Sequence, residues 1–400
     1  MPFNYKKCKI NTIINYLVVL YAFILPLSRS ALSVLSVALI VLWFAEGNFK
    51  DKLTKINKTY MSIFALGFFM VISYLWSSDF QYAAFYVRKY WQYFLVSFVV
   101  FTSLKKENVI YVVSAFLLGM FVSELISYAL FFDLIHKKNV NPHDPSPFMN
   151  HIEYSIYLSI ASIILMDRIL KLKGLNIRRI IYIALFLLTS VTLFITHGRT
   201  GQFIYILNMF IFICVYFGIN AKNILKSVAV GLLVFAVVYG FSGSFRTKFD
   251  NFAIALKGSK YTNPCSSVGT RLNMIKVGSE IFISHPIAGV GVGDSNDEFK
   301  KIIHSKYPRL KCLLPYNHLH NQYIQIMAQV GIIGLILLLL IFYFFFRESK
   351  DKKLGFLFSL SIMLAFFGDV LFSRQFSIAL ISLFIALLLR YDNQEDYFPK

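Results

Sequence analysis

Residues His320 to Leu335 read HNQYIQIMAQVGIIGL and place polar side chains in the first turns of an otherwise apolar segment. In a helix, Gln322, Gln325 and Gln329 fall at positions i, i+3 and i+7 and share one face. A face that contacts lipid would not keep three amides, so we predict that this stripe faces the interior of a helix bundle.

The same stretch carries a candidate general base. His320 lies in or beside the first turn of the predicted helix, where the positive end of the helix dipole disfavours an imidazolium ion. A general base needs a neutral imidazole. Considered alone, the histidine could equally be a cap or an interfacial residue. Farther along, Gly331 and Gly334 predict the close approach of a neighbouring helix.

The spacing of these residues resembles a family signature. His320, Asn321, nine residues, Gly331, two residues and Gly334 match the His-Asn-x9-Gly-x-x-Gly pattern of bacterial O-antigen ligases, membrane enzymes that join a polyprenyl-diphosphate-linked polysaccharide to lipid A-core. Leu335 departs from the Thr or Val that usually follows, which bears on the choice between ligase and polymerase. The resemblance implies that His320 is catalytic, and we add neighbouring residues as substrate-binding candidates: His318, Asn321 and Gln325.

The composition is that of a polytopic membrane protein. Of 400 residues, 57% are hydrophobic and 15% are charged, and the apolar runs are long enough to cross a bilayer repeatedly. The net charge of +20 lies mostly in short loops between apolar runs, as membrane topology requires. No nucleic-acid-binding motif accompanies it, so we expect membrane lipids and no nucleic acid among the partners.

The apolar runs predict an all-α protein of about twelve transmembrane helices. Their centres lie near residues 19, 38, 67, 96, 120, 161, 187, 210, 233, 334, 362 and 382. The predicted domains are residues 1–241 with helices 1–9, residues 242–321 as a helical periplasmic domain, and residues 322–400 with helices 10–12 and a cytoplasmic tail. This layout is GT-C-like in the resembled family, which implies a multi-pass protein of the bacterial inner membrane.

Charge sets the predicted orientation. A cytoplasmic N-terminus puts the Lys- and Arg-rich short loops inside, which is the positive-inside pattern. All eight histidines then face the periplasm. The outer loops nevertheless hold cations near helix ends, namely Arg29, Arg88, Lys89, Arg199 and Arg374. Since arginine forms bidentate contacts with phosphate, Arg29, Arg88 and Arg374 are candidate ligands of an anionic headgroup, with ordinary snorkelling as the alternative.

The turn Thr196–Gly201, THGRTG, carries the first candidate ligand of a diphosphate. Its two glycines allow a tight turn that could bring backbone amides and Arg199 to one anion. The turn also resembles the Gly/Arg turn after the seventh span of the O-antigen ligase family, whose arginine is thought to hold the donor diphosphate.

The segment 242–321 carries a second candidate arginine. Arg271 opens a predicted helix to Ser284, followed by HPIAGVGVG from His285 to Gly293. Arg271 to Phe299 resembles the family's arginine-led helix, His-Pro turn and Gly-x-Gly, so Arg271 is a candidate diphosphate or sugar ligand. A surface salt bridge to Glu280 or Asp250 is the alternative.

Other patterns in the chain carry weaker signals. The glycines 289–293 lack the Gly-Lys-Ser/Thr ending of a P-loop and predict a turn over the site. The histidine spacing matches no zinc motif, so we predict no metal and no cofactor. Asp369 and Glu153 are assigned to pairing with arginine ahead of catalysis. Cys265 and Cys312, the cysteines of the outer segment, could form a disulfide in an oxidising compartment.

The resemblance implies an inverting glycosyl transfer from an undecaprenyl-diphosphate-linked glycan to a lipid A-core sugar at the periplasmic face. Direct displacement of an activated diphosphate needs no nucleotide, and arginines could replace a metal as charge stabilisers. An O-antigen polymerase or a protein-glycan ligase of the same superfamily is the alternative. A twelve-helix solute transporter is a remote one, because no repeated halves are visible.

Overall fold

The computed structural model describes residues 5–241, 243–256 and 264–390, and this part of the chain is helical without a β-strand. Four short 3-10 helices, Ser73–Trp76, Lys106–Asn108, Pro308–Leu313 and Leu371–Ser373, supplement the α-helices. In chain order the α-helices are α1 (Tyr5–Ile24), α2 (Arg29–Glu46), α3 (Phe49–Leu53), α4 (Lys58–Ile72), α5 (Phe80–Ser103), α6 (Val109–Phe131), α7 (His151–Lys171), α8 (Ile177–Ile195), α9 (Arg199–Phe217), α10 (Ala221–Phe241), α11 (Gly243–Leu256), α12 (Ser267–Ser284), α13 (Ser295–Lys306), α14 (Gln322–Glu348), α15 (Lys352–Ala365) and α16 (Gln375–Arg390).

Each predicted span centre lies within one of these helices. Seven helical segments of the described residues are long and apolar enough to cross a membrane: Arg29–Glu46, Lys58–Trp76, Lys106–Phe131, Ile177–Ile195, Arg199–Phe217, Ala221–Gly240 and Gln322–Glu348. Two shorter apolar helices are Lys9–Ile24 and Gln375–Arg390. The all-α membrane class is therefore confirmed, whereas the count of twelve spans and the periplasmic placement of residues 242–321 stay predictions.

The bundle is organised around α16. This helix packs against α5, and its residues from Phe376 to Leu389 are all buried. Around it, α14 packs on α4, and α7 packs on α8 and α9. Because the loop before α16 and the beginnings of α2, α5, α7 and α9 meet at one end of this core, polar residues at those helix ends come together.

Residues 264–319 have a hydrophobic core of their own. It is formed by α12, α13 and the segment Pro308–Leu313, with buried side chains that include Met274, Ile281 and Phe299. The predicted disulfide between Cys265 and Cys312 is present, with Cα atoms 6.0 Å apart, and it ties the start of α12 to that segment. Helix α12 ends at Ser284 as predicted but begins four residues before Arg271.

A backbone insertion joins residues 264–319 to the bundle. Helix α14 is broken at Val330 and Gly331, where Gly331 has φ +64°. The chain from 286 to 291 fills the break: Val290 and Gly291 donate their amides to Ala328 and Gln329 at 2.9 Å each, and Ile332 donates to Pro286 at 2.9 Å. The element that approaches Gly331 is thus a loop, not the predicted helix, and a Cβ there would lie 2.2 Å from the Ile287 carbonyl oxygen.

Candidate functional site

The site is built around a histidine and a carboxylate from distant parts of the chain. His320 Nδ1 lies 3.2 Å from Oδ1 of Asp369, in side chains that are 13% and 0% exposed. His320 precedes α14, and Asp369 lies in the connection between α15 and α16. The approach is too bent for a well-formed hydrogen bond, and such contacts often tighten only when substrate binds. The pair leaves His320 Nε2 to meet a substrate.

The backbone at His320 is held in an uncommon conformation. Its φ is +47°, in the left-handed region that costs a non-glycine residue about 1–3 kcal/mol and that clusters at functional sites. Asn321 caps the helix directly after it, because its side chain accepts the Ile324 amide at 3.1 Å. The predicted position of His320 beside the first turn is therefore correct, and Asn321 acts as an N-cap with its side chain buried.

His318 lies beside His320 and faces the same carboxylate. The two rings are 4.4 Å apart in an edge-on arrangement, and His318 Nε2 lies 3.8 Å from Asp369 Oδ1. Burial lowers the pKa of His318 to about 4, so this imidazole is neutral at pH 7.

Asp369 also binds Arg374, whose guanidinium nitrogen Nε contacts the other carboxylate oxygen. Burial alone would raise the pKa of Asp369, but its contact with His320 and the positive charge of Arg374 hold the pKa well below its usual range. The carboxylate is therefore ionised throughout the neutral range. Sequence reasoning ranked Asp369 as structural; the signal that could have placed it here is its position five residues before an arginine in a short outer connection.

Arg199 begins α9, and the glycines around it serve packing. A Cβ at Gly198 would lie 2.2 Å from Cβ of Ser155, and one at Gly201 would lie 2.1 Å from the Ser155 carbonyl oxygen. Only glycine lets α9 approach α7 this closely. The backbone amide of Gly201 donates to Ser155 Oγ at 3.2 Å and that of His197 donates to Asp144 at 2.8 Å. These two amides already have protein acceptors, so the Arg199 side chain is the main candidate anion ligand of the turn.

Arg271, from the unit formed by residues 264–319, lies at the same site. It lies one turn into α12, and its guanidinium interacts electrostatically with Arg199, Asp369 and Tyr316. Burial lowers the pKa of Arg271, although the group remains cationic. The two carboxylates considered as surface partners have other contacts: Glu280 binds Lys306 and Tyr307, and Asp250 accepts from Tyr239. Of the predicted residues, His320 and Arg271 thus lie beside Asp369, and Arg199 lies beside Arg271.

The glutamine stripe is buried, as predicted, and it fixes the site's loops. Gln325 accepts the Leu319 amide at 3.0 Å and donates to Ser295 at 3.2 Å. Gln322 accepts the Phe372 amide at 2.9 Å and donates to Tyr86 at 3.2 Å. The predicted substrate contact of Gln325 would have to replace one of these bonds, so its direct contribution is to hold the His320 loop.

The other predicted arginines line a neighbouring cavity. Arg29, Arg88 and Arg374 surround a space of about 320 Å³ together with Lys89 and Glu153. Arg374 belongs to both places, because it lines the cavity and binds Asp369.

Three side chains of this site are close enough together to ligate a cation. The ligand atoms of His318, His320 and Asp369 lie within 4.8 Å of one another. Arg374 contacts the same carboxylate and would lie within repelling distance of a metal ion bound there. Arg374 therefore already supplies the positive charge that the carboxylate requires.

Comparison with known proteins supports the resemblance noted in the sequence. Residues 184–339 match a family model described as Wzy_C, O-Antigen ligase, and this range includes Arg199, Arg271 and His320 but ends before Asp369. The chain is also 25% identical over 191 residues to the O-antigen ligase of Escherichia coli (strain K12). That match covers 45% of this chain and 45% of the relative, less than half of its length. Residues 184–339 are thus similar to the O-antigen ligase family.

Proposed function

We propose that this protein is an O-antigen ligase that transfers a glycan from undecaprenyl diphosphate to a sugar of lipid A-core, with inversion at the anomeric carbon. The observation that carries the proposal is that His320 and Arg271 interact with Asp369 and that Arg199 interacts with Arg271. These four residues come from four separate segments of the chain. The two arginines can bind an anion, and they lie beside a histidine that has a carboxylate partner.

The two arginines suit the donor. Arg199 and Arg271 repel each other, so an anion between them relieves an unfavourable interaction. A diphosphate has enough charge and enough oxygen atoms for bidentate contacts with both guanidinium groups. As the glycosidic bond breaks, the leaving diphosphate takes the electron pair, and the arginines stabilise the added charge.

His320 and Asp369 suit the acceptor. In this mechanism Nε2 of His320 takes the proton of the acceptor hydroxyl while that oxygen forms a bond to the anomeric carbon. Asp369 on Nδ1 orients the ring and stabilises the imidazolium that results. Attack opposite the departing diphosphate gives one displacement and therefore inversion.

We place this reaction at the periplasmic face of the bacterial inner membrane without a metal cofactor. The site lies at the end of the bundle opposite the basic loops assigned to the cytoplasm, and arginines provide the charge that a divalent ion would otherwise supply. Alkaline phosphatase fused after Lys306 should be active, and a fusion after Lys173 inactive. The reverse pattern would contradict the assigned side, and loss of transfer in a chelator would contradict metal independence.

The glycolipids of a deletion strain test the reaction itself. A missing ligase leaves unmodified lipid A-core and accumulates long lipid-linked polymer. A missing polymerase instead gives cores capped with single repeats, and normal glycolipids with underglycosylated protein would indicate a protein-glycan ligase. Complementation with the wild-type gene and with an Arg199→Ala variant of equal expression links the phenotype to the site.

A further inference from the structure

We propose that the 320 Å³ cavity beside the site is a second anion site, which binds a phosphate group of the acceptor glycolipid and is distinct from the diphosphate site at Arg199 and Arg271. This inference rests on the proposed function for the identity of the acceptor. The charge of the cavity does not depend on that function.

The cavity has more positive than negative charge. Four cationic side chains line it, and Lys89 interacts electrostatically with the other three, Arg29, Arg88 and Arg374. Glu153 pairs with Arg29 at 3.5 Å, and Asp369 pairs with Arg374. Four cations less these two carboxylates leave a surplus of two, contributed by Arg88 and Lys89. A phosphate matches that surplus and the bidentate geometry of arginine.

The walls are fixed by a buried network, which distinguishes them from cations that snorkel individually to lipid phosphates. Glu153 is 1% exposed and accepts from Asn150 at 2.6 Å and from Ser377 at 3.3 Å. Its contact with Arg29 is supported by the Phe376 ring, whose centroid is 5.2 Å from that guanidinium carbon. Gln375 Nε2 donates to the Arg29 carbonyl oxygen at 2.8 Å and so closes the wall.

The position of the cavity suits the acceptor better than the donor. Arg271 interacts electrostatically with Asp369, and Arg374 lines the cavity and binds the same carboxylate. A transferase of this kind must hold two lipid-linked substrates together. A headgroup in the cavity would be separated from the His320–Asp369 pair by the Arg374 side chain. The volume lies near the lower end of the roughly 300–1,000 Å³ typical of ligand sites, which fits a headgroup and excludes a polymer.

Arg88 provides the test, because no described residue forms a hydrogen bond or ion pair with its side chain. Binding of diphosphoryl lipid A to the purified protein in phosphatidylcholine nanodiscs should weaken about 10- to 100-fold in Arg88→Ala, as expected for loss of a hydrogen bond between charged groups. Lipid A from which both phosphates are removed should bind wild type and variant equally weakly. Arg347→Ala, an exposed arginine in the last turn of α14, is the matched control and should bind like wild type.

Steady-state transfer separates the possible sources of the phosphate. Arg88→Ala should raise KM for the acceptor and leave KM for the donor unchanged. An increase in the donor KM, or equal Arg88-dependent binding of phosphatidylglycerol with no change in acceptor KM, would overturn the assignment. Unchanged lipid A binding would overturn it too. If wild type binds lipid A through Arg88 but transfers no glycan, the cavity stands and the proposed function falls.

Discussion

Replacing Asp369 by asparagine should nearly abolish transfer without preventing folding. The change keeps the shape of the side chain but removes the charge that contacts His320 at 3.2 Å and also binds Arg374. An amide can hold the wrong histidine tautomer, and Arg271 and Arg374 would then repel the imidazolium. We expect kcat to fall about 100- to 10,000-fold, the range of a lost general base.

The cost in stability can be worked from burial. Breaking a fully buried ion pair costs roughly 3–5 kcal/mol. The Arg374 side chain is 25% exposed and can recover water, so we expect about 2–3 kcal/mol for Asp369→Asn. Since the pKa of Asp369 is held well below its usual range, the loss should be the same throughout the neutral range.

Asp167→Asn is the matched control. Asp167 is also buried and ion-paired, to Lys171 at 2.9 Å, but it lies near the other end of α7, away from the site. Transfer of purified lipid-linked glycan to lipid A-core would be measured for both variants, along with Tm and donor binding. Wild-type kcat in Asp369→Asn, or an equal loss in Asp167→Asn, would refute the reasoning.

Three further predictions concern the site's surroundings. Arg199→Lys should retain little activity because an ammonium group keeps the charge but loses the planar fork, and normal transfer at wild-type expression would leave Arg199 as a lipid anchor. Cys312→Ser should lower stability by about 2–4 kcal/mol, measured as a fall in Tm that reduction of the wild type reproduces; thiol labelling of unreduced protein at Cys265 would contradict the disulfide. Between about pH 6.5 and pH 4, His318 is protonated in the unfolded chain but stays neutral in the folded protein, so the free energy of unfolding should fall by up to about 3 kcal/mol as pH falls. His318→Asn should reduce this pH dependence of Tm. An unchanged pH profile in the variant would contradict the prediction.

Local patterns predicted the helices and the polar stripe. The helix from Arg271 ends at Ser284 because His285 and Pro286 follow, and the buried amides of Gln322, Gln325 and Gln329 follow from helical periodicity alone. Both signals depend on neighbouring residues, which a sequence displays directly.

Long-range contacts could not be predicted in the same way. The break in α14 depends on a loop some forty residues earlier. The amides of that loop donate to the carbonyl oxygens of Ala328 and Gln329 in place of amides of the helix itself. Asp369 joins the site only because α15 and α16 return the chain to the His320 loop. The shared contact of His318 and His320 with Asp369 depends on that same return of the chain.

Single-turnover transfer by a His320→Ala variant tests the central claim most directly. Donor bound to the purified protein would be mixed with lipid A-core, with donor affinity measured separately. His304→Ala is the control, because His304 is an exposed histidine in α13, whereas His318 lies 3.8 Å from Asp369. We predict unchanged donor affinity and a transfer rate about 100- to 10,000-fold below wild type. A wild-type rate, or a loss that follows only from failed donor binding, would contradict the assignment of His320 as the base.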